Sequence, residues 1–469
     1  MPGTPTLKVV DITPKALSGT ASQDSEPFLA VNPEQPAQMV ATAFTPDPMN
    51  GPLAPVYVST DGGDTWALRT IVPGAAPQIG TADITVAFAA RGGALYAGIL
   101  NGQAALHRPQ PITRMQILRA PGIASTAPME ILVSRDREDQ PWVTADTVAA
   151  GGADRDRVYI GNNGPGPRSA TVDVSGDART APAPAGFGPT VIEQRDPAGQ
   201  DGPPVRLAVH PDGTVYAAFE SWRTNDDGRP VTDVTFDVVV TRDDGAGLGA
   251  NPFRDLKDAA DSTPGQRVAT DRFIAFNSTM GQERLGGDLT IAVDPTGADR
   301  VWIAWCDRVG GPGGVDNTLH VRHSADRGQT WQQVRDDITD AKNPALAVNA
   351  DGLVGLVYQR FAQNQWTTVL EVTADNWRTA PESDVLHQAP ADVPVAHGLP
   401  YLGDYIRILA VGTDFYGIFA GNNTPDRANF PVGVTYLRNA DFTTHQLLST
   451  DGATRVAPSI DPFFFHRAA

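Results

Sequence analysis

The stretch "YVSTDGGDTW", residues 57–66, decides how the rest of the chain is read. It follows the extended, β-prone run "APVYVS", and Asp61-Gly62-Gly63 then supplies residues that tolerate positive φ, so a tight turn is expected. The Asp61 carboxylate can accept hydrogen bonds from amides inside its own turn. Trp66 opens the return strand "WALRTIV" and can cover the hairpin with a large apolar face. The device staples a hairpin, and nothing in it is catalytic in kind.

The pattern returns in register as "RHSADRGQTW", residues 322–331, with Ser324, Asp326, Gly328, Thr330 and Trp331. Weaker echoes occur at Thr241/Asp243/Gly245, at Thr373/Asp375/Trp377 and at Asn439/Asp441. Ser-x-Asp-x-Gly-x-Thr-Trp resembles the Asp-box, or bacterial neuraminidase repeat, of sialidase-like β-propellers. That resemblance implies a turn between the third and fourth strands of a blade, away from the active site. It speaks to architecture and leaves chemistry open.

A second repeat runs the length of the chain, offset from the first: an apolar strand, a Pro/Asp/Gly turn and another apolar strand. Copies start at Glu26, Asp83, Gln140, Pro204, Asp288, Asn343 and Asp404. Strands apolar throughout are those buried on both faces. Two further strand-like runs follow most copies, as in "TLHVRHS" with "WQQV". Two inner and two outer strands make one four-stranded antiparallel blade, and blades set radially leave only short, protected edges. The expected fold is all-β: one seven-bladed propeller spanning residues 1–469, six blades being the alternative that the sialidases themselves use. Surplus length is expected as insertions around 164–203, a Pro/Gly/Ala-rich stretch, and 251–287, with a short helix near "FRDLKDAADS". The strand-like "TLKVVDIT" and "FTTHQLLS" are expected to close the ring in a shared blade, and "DPFFFHRAA" reads as a final strand or ring-closing tail.

The chain has 469 residues, with 46 glycines and 40 prolines, as many short strands and turns require. A net charge of −18 argues against nucleic acid and acidic lipid as partners. No apolar run approaches the roughly 20 residues that span a bilayer. No secretory signal is visible in "MPGTPTLKVVDITPK"; the resemblance implies an extracellular setting. The single cysteine, Cys306, excludes an internal disulfide framework and is expected to pack as a small apolar group. The histidines lack metal-ligand spacing; "DREDQ" and "DRDR" are oxygen-rich but lack the regularity of a calcium loop, so calcium stays open while no other cofactor is expected.

Loops that lead into the innermost strands of a propeller converge at one end of its axis. Glu26, Asp83, Glu138, Asp139, Asp288 and Asp404 all precede such strands. Carboxyls crowded in one funnel repel and move toward a general acid's range, and a carboxyl pair is what most glycosidases use. Alternatively, each bonds the turn amides of its own strand. Arg223, Arg308 and Arg360 follow second strands at equivalent places and could share a face, a cluster suited to carboxylate or sulfate capture. Pairing with nearby aspartates is the other reading. Sialidases hold a carboxylate with three arginines and use a tyrosine nucleophile helped by a glutamate, with an aspartate as acid/base. The resemblance thus points to Asp288, Asp404, Tyr405 and Glu283 (or Glu220) as catalytic candidates, and to Arg223, Arg308, Arg360 and Glu26 as substrate-binding ones. The Arg-Ile-Pro signature of that family is missing: its place reads "SEPFLAV".

Two functional classes follow. One is a sialidase-like exo-glycosidase acting on a glycan at the axial funnel. The other is a non-catalytic carbohydrate-binding, adhesive or structural propeller within a larger protein assembly.

Overall fold

A computed structural model describes residues 6–44, 54–73, 81–101, 114–164, 166, 169–180, 186–197, 205–225, 234–274, 288–311, 317–394 and 401–469. It is a seven-bladed β-propeller. Seven antiparallel sheets follow one another along the chain, and the innermost strands are Ser25–Val31, Thr81–Phe88, Asp139–Ala150, Arg206–Val209, Leu289–Val293, Ala341–Val348 and Arg407–Val411. Each inner strand adjoins that of the next blade, and the seventh returns to the first. Among the described residues there is no α-helix.

Burial explains the strand composition. Each blade is sandwiched between two others, so both faces of its inner hairpin are apolar; Val301, Ile303, Ala304 and Trp305 of blade 5 are all inaccessible to solvent. The mouth of the ring, where inner strands begin, is shaped by a recurrent irregularity. Glu26, Gln140 and Asn343 have φ of 49°, 54° and 52°, each precedes a proline, and each lies where the register with the second strand slips. Proline lacks the amide that a regular ladder needs, so the strand bulges there and re-aims the polar residue before it.

The serine-aspartate turns take the expected place between third and fourth strands in blades 1 and 5. Ser59 Oγ donates to Asp61 Oδ1 (2.8 Å), the Gly63 amide donates to Ser59 Oγ (2.9 Å), the Thr65 amide donates to Asp61 Oδ1 (2.9 Å), and Trp66 Nε1 donates to the Gly63 carbonyl (3.1 Å). Ser324, Asp326, Gly328, Thr330 and Trp331 repeat the same bonds. The echo at Thr373 and Asp375 in blade 6 is closed by Thr379 instead. Gly63 is required twice over: its φ is 87°, and a Cβ there would lie 2.3 Å from the Phe464 ring of blade 7.

Blade 7 closes the circle with both ends of the chain. Its order is Arg407–Val411, Asp414–Asn422, Ile460–Arg467, Leu7–Asp11, Thr435–Tyr436; Leu7–Asp11 runs antiparallel to Ile460–Arg467, and the short Thr435–Tyr436 pairs parallel to Leu7–Asp11 at the edge. "DPFFFHRAA" therefore supplies the closing strand beside "TLKVVDIT". "FTTHQLLS" does not: Gln446–Leu448 belongs to a small separate sheet with Ala440–Asp441 and Arg455–Val456. Three consecutive phenylalanines, Phe463–Phe465, outcompete the polar "THQ" for the buried place.

The stretches expected as insertions hold blade strands. Ala170–Ser175 and Gly188–Val191 are the outer strands of blade 3, and Gln266–Ile274 is the fourth strand of blade 4. Outer strands are half exposed, so their apolar signal is weak. No helix forms at "FRDLKDAADS". Asp258 instead folds the segment into turns, accepting from the amides of Ala260 and Arg267 while Arg195 and Arg267 neutralise it.

Candidate functional site

The mouth of the axis gathers one residue set from all seven blades. Blade 1 contributes Glu26 and Phe28, blade 2 Asp83, blade 3 Trp142, blade 4 Arg206 and Glu220, blade 5 Asp288 and Asp307, blade 6 Asn343, and blade 7 Asp404, Tyr405 and Arg407. Backbone contacts draw the ends of the ring together here. The Asp404 amide donates to Glu26 Oε1 (3.2 Å), and the Glu26 amide donates to the Leu402 carbonyl (3.3 Å). Asn343 Nδ2 donates to the Gly403 carbonyl (2.9 Å) and to Gln359 Oε1 (3.0 Å). Gly403, at φ 94°, passes so close that a Cβ would sit 2.2 Å from Glu26 Cγ.

Arg206 lies at the centre of the set. Only 2% exposed, it bridges blades 4 and 5 through an Nη2 bond to Asp288 Oδ1 at 2.8 Å. Its guanidinium lies 3.6 Å from the centroid of the Trp142 ring and 5.5 Å from that of Tyr405. Trp142 in turn meets Phe28 edge-on at 4.7 Å and Tyr405 at 5.6 Å. This aromatic box holds the cation through the negative faces of its rings. Arg206 Nε and Nη1 have no hydrogen-bond acceptor among the described residues.

Arg407 is the second cation. It stands 5.1 Å from the Phe28 centroid and 5.2 Å from that of Trp142, and among the described residues no carboxylate pairs with it. Its surroundings and the neighbouring Arg206 charge push its pKa down to about 10. An arginine is still charged at neutral pH under those conditions, so the fold holds two adjacent guanidinium groups with one carboxylate bond between them.

The acids divide by environment. Burial raises Asp288 to about 6 against the opposing effect of Arg206. Glu220 is fully buried and neither carboxyl oxygen has a partner of hydrogen-bonding geometry among the described residues. Burial first, then the charges of Asp288 and Asp307, hold its pKa well above the ordinary carboxyl range. Tyr405, 3% exposed, has a hydroxyl without a partner among the described residues. Burial and the charges of Asp83 and Glu26 raise its pKa well above that of a free phenol, so it stands ready as a neutral donor.

The sequence candidates thus fall in two places. Glu26, Asp288, Asp404 and Tyr405 meet at the mouth. Arg223 pairs with Asp237 of its own blade at 2.9 Å, and the Nε atoms of Arg308 and Arg360 are buried without partners among the described residues. Glu283 lies outside the described residues. Carboxylates of the two oxygen-rich stretches pair with arginines: Asp136 with Arg114, Glu138 with Arg135, Asp154 with Arg91, and Asp156 with Arg179. Among the described residues no group of three or more acidic, histidine or cysteine side chains is arranged to hold a metal ion. Cys306 is inaccessible, and burial pushes its thiol well up, away from reactivity.

Arg206 and Arg407 are absent from the sequence candidates because each opens an inner strand between apolar neighbours, where pattern reading expects core. A signal existed: "FLAV" (28–31), "RLAV" (206–209), "ALAV" (345–348) and "ILAV" (408–411) repeat one tetrapeptide, and a charge opening one copy is conspicuous.

No protein-family model and no curated protein matches the sequence. Solved structures of similar architecture include a family PL25 ulvan lyase bound to -[GlcA(1-4)Rha3S]- (TM-score 0.47, 10% identity, 85% of this chain and 92% of that one). Others are the GH93 α-L-arabinofuranosidase of Fusarium graminearum with arabinobiose (0.42, 12%, 98% of each chain) and the Hadza microbial sialidase Hz136 (0.40, 13%, 85% of this chain and 63% of that one). Likeness of this order says nothing about substrate or chemistry.

Proposed function

We propose that the mouth of the propeller recognises an anionic saccharide, its acid group seated against Arg206 and Arg407. The observation that carries this reading is Arg407: a guanidinium at the mouth, repelled by Arg206, with no carboxylate paired to it among the described residues. An acid group of a ligand would relieve that repulsion and take the free Nε and Nη1 donors of Arg206. The neutral Tyr405 hydroxyl adds a donor and the acidic rim adds acceptors for sugar hydroxyls.

Hydrolysis is a second reading, favoured by one observation. Glu220 and Asp288 are buried acids raised toward a general acid's working range on either side of Arg206. The protonated state of Tyr405 speaks against a ready phenolate nucleophile. Calorimetric titration with N-acetylneuraminic and glucuronic acids, set against their neutral counterparts, tests recognition. Binding of the acids alone, lost in Arg407→Met, is expected; no binding of any acidic sugar would sink the proposal. A fluorogenic exo-glycoside screen with Tyr405→Phe as control separates turnover from binding.

A further inference from the structure

Two arginines outside the Arg206–Arg407 pair also lack a counter-charge. Arg308 ends the second strand of blade 5 (Val301–Arg308), and Arg360 lies near the end of the second strand of blade 6 (Val354–Ala362). Each is half-buried with its Nε atom enclosed, and neither has a hydrogen bond or an ion pair among the described residues. Side chains alternate between the two faces of a strand. Ala304 and Cys306 of blade 5 pack in one buried cluster with Ala341, Leu356 and Tyr358 of blade 6, whereas Ile303 and Trp305 pack with blade 4. Arg308 continues the face of Ala304 and Cys306, and Arg360 that of Leu356 and Tyr358, with no slip in the pairing of either strand with the third. Both guanidinium groups therefore belong to the seam between blades 5 and 6.

Glu371, a carboxylate on this face of blade 6, is already committed. Arg335 of blade 5 lies 3.0 Å from its Oε1, the Tyr358 hydroxyl donates to the same oxygen at 3.0 Å, and Trp377 Nε1 donates to Oε2 at 2.7 Å. Blade 6 also raises no long loop over the seam. Asp340 alone joins Thr339 of blade 5 to Ala341 of blade 6, its carbonyl accepting from the Phe361 amide at 2.8 Å. Gln363 and Asn364 alone close the hairpin between the second and third strands, at φ of 53° and 59°, as a two-residue turn requires. The seam lies between blade 4, which carries Arg206, and blade 7, which carries Arg407, so it opens from the same mouth. A second strand stands about 5 Å farther from the axis than the first, a step that one sugar residue covers.

We propose that Arg308 and Arg360 form a second anion subsite, and that the ligand of the mouth is an oligosaccharide with acid groups on more than one residue. One acid group sits against Arg206 and Arg407, and a further one lies on the seam of blades 5 and 6, where it supplies the counter-charge that the fold withholds. The proposal rests on the mouth being a site for acidic sugars and turns that site from a seat for one sugar into a track for a polyanionic chain.

The test is calorimetric titration of the full chain with galacturonate and with trigalacturonate. A second acid group carried on the same ligand meets its subsite at high effective concentration, so the trimer is expected to bind at least about tenfold more tightly than the monomer. The double variant Arg308→Gln/Arg360→Gln is expected to erase that advantage, bringing the trimer to the affinity of the monomer. Arg360→Lys, which keeps the charge and loses the planar fork, is expected to retain part of it and guards against misfolding of the double variant. A trimer that binds no more tightly than the monomer overturns the proposal; so does an advantage that survives the double substitution, or an equal loss for both ligands. If trimer binding survives Arg407→Met but is lost in the double variant, the mouth reading falls and the seam stands as an anion site by itself. If neither saccharide binds the wild type, both readings fall.

Discussion

Arg407→Met should leave the stability of the empty protein nearly unchanged while removing its affinity for acids. The fall of the Arg407 pKa from its ordinary value to about 10 reflects how poorly the free site tolerates its charge. That difference corresponds to roughly 3 kcal/mol. Part of the residue is still reached by water, and screening reduces the figure to roughly 1–2 kcal/mol. Against it stands the loss of contact with the Phe28 and Trp142 rings, at about 0.5–1 kcal/mol each. Methionine keeps most of the volume and fills the space flexibly. The net expectation is a change within about 1 kcal/mol of zero, read from urea unfolding at pH 7. A loss of more than about 1 kcal/mol would mean that Arg407 has a structural partner, and the inference of a vacant anion site would fail.

Asp288 should impose a pH slope. Its folded pKa, about 6, lies above the ordinary 3.8, so its stabilising contribution is complete below about pH 4 and is lost as pH rises through 6, by up to ~3 kcal/mol. Asp288→Asn should flatten that slope and leave the protein at pH 7 as stable as the wild type or more so, because the amide stands in for the protonated acid that the folded site favours; unfolding free energies between pH 4 and 7 give both numbers. Asp326→Ala removes the acceptor for the Thr330 amide and hydroxyl and for Ser324 and should destabilise by about 2 kcal/mol in chemical denaturation without altering ligand affinity. Gly403→Ala forces a Cβ onto Glu26, and a midpoint shift of less than about 1 kcal/mol would contradict the close approach. Deleting residues 1–11 strips the outer strand of blade 7 and exposes Phe463–Phe465; loss of cooperative melting is expected, and an intact transition would refute closure by both chain ends.

Legibility followed burial. The inner hairpins could be read from sequence because both their faces are enclosed, which leaves apolar runs that repeat seven times. The turns could be read because Asp61 and Asp326 must accept from fixed neighbours. Gly188–Val191 and Gln266–Ile274 were hidden because an outer strand needs only one apolar face and tolerates proline, glycine and charge. The helix expected at "FRDLKDAADS" failed to form because Asp258 finds two arginines and several amides within reach, a tertiary arrangement that local propensity does not encode.

The mouth was half legible for a similar reason. Glu26, Asp288, Asp404 and Tyr405 stand just before or at the start of inner strands, where propeller geometry places functional groups. Arg206 and Arg407 sit on strands whose neighbours are all apolar, so pattern reading counts them as core. Arg223, Arg308 and Arg360 attracted attention by their equivalent positions at strand ends. Equivalence in sequence places side chains on the same blade position but does not aim them at the axis, as the Arg223–Asp237 pair illustrates.

The account stands most directly on one measurement. Crystals soaked in selenate should show an anomalous difference peak between the Arg206 and Arg407 guanidinium groups in the wild type and none there in Arg407→Met. Selenate bound only on the outer faces of the blades, with the mouth empty in the wild type, would contradict the assignment of that mouth as an anion site.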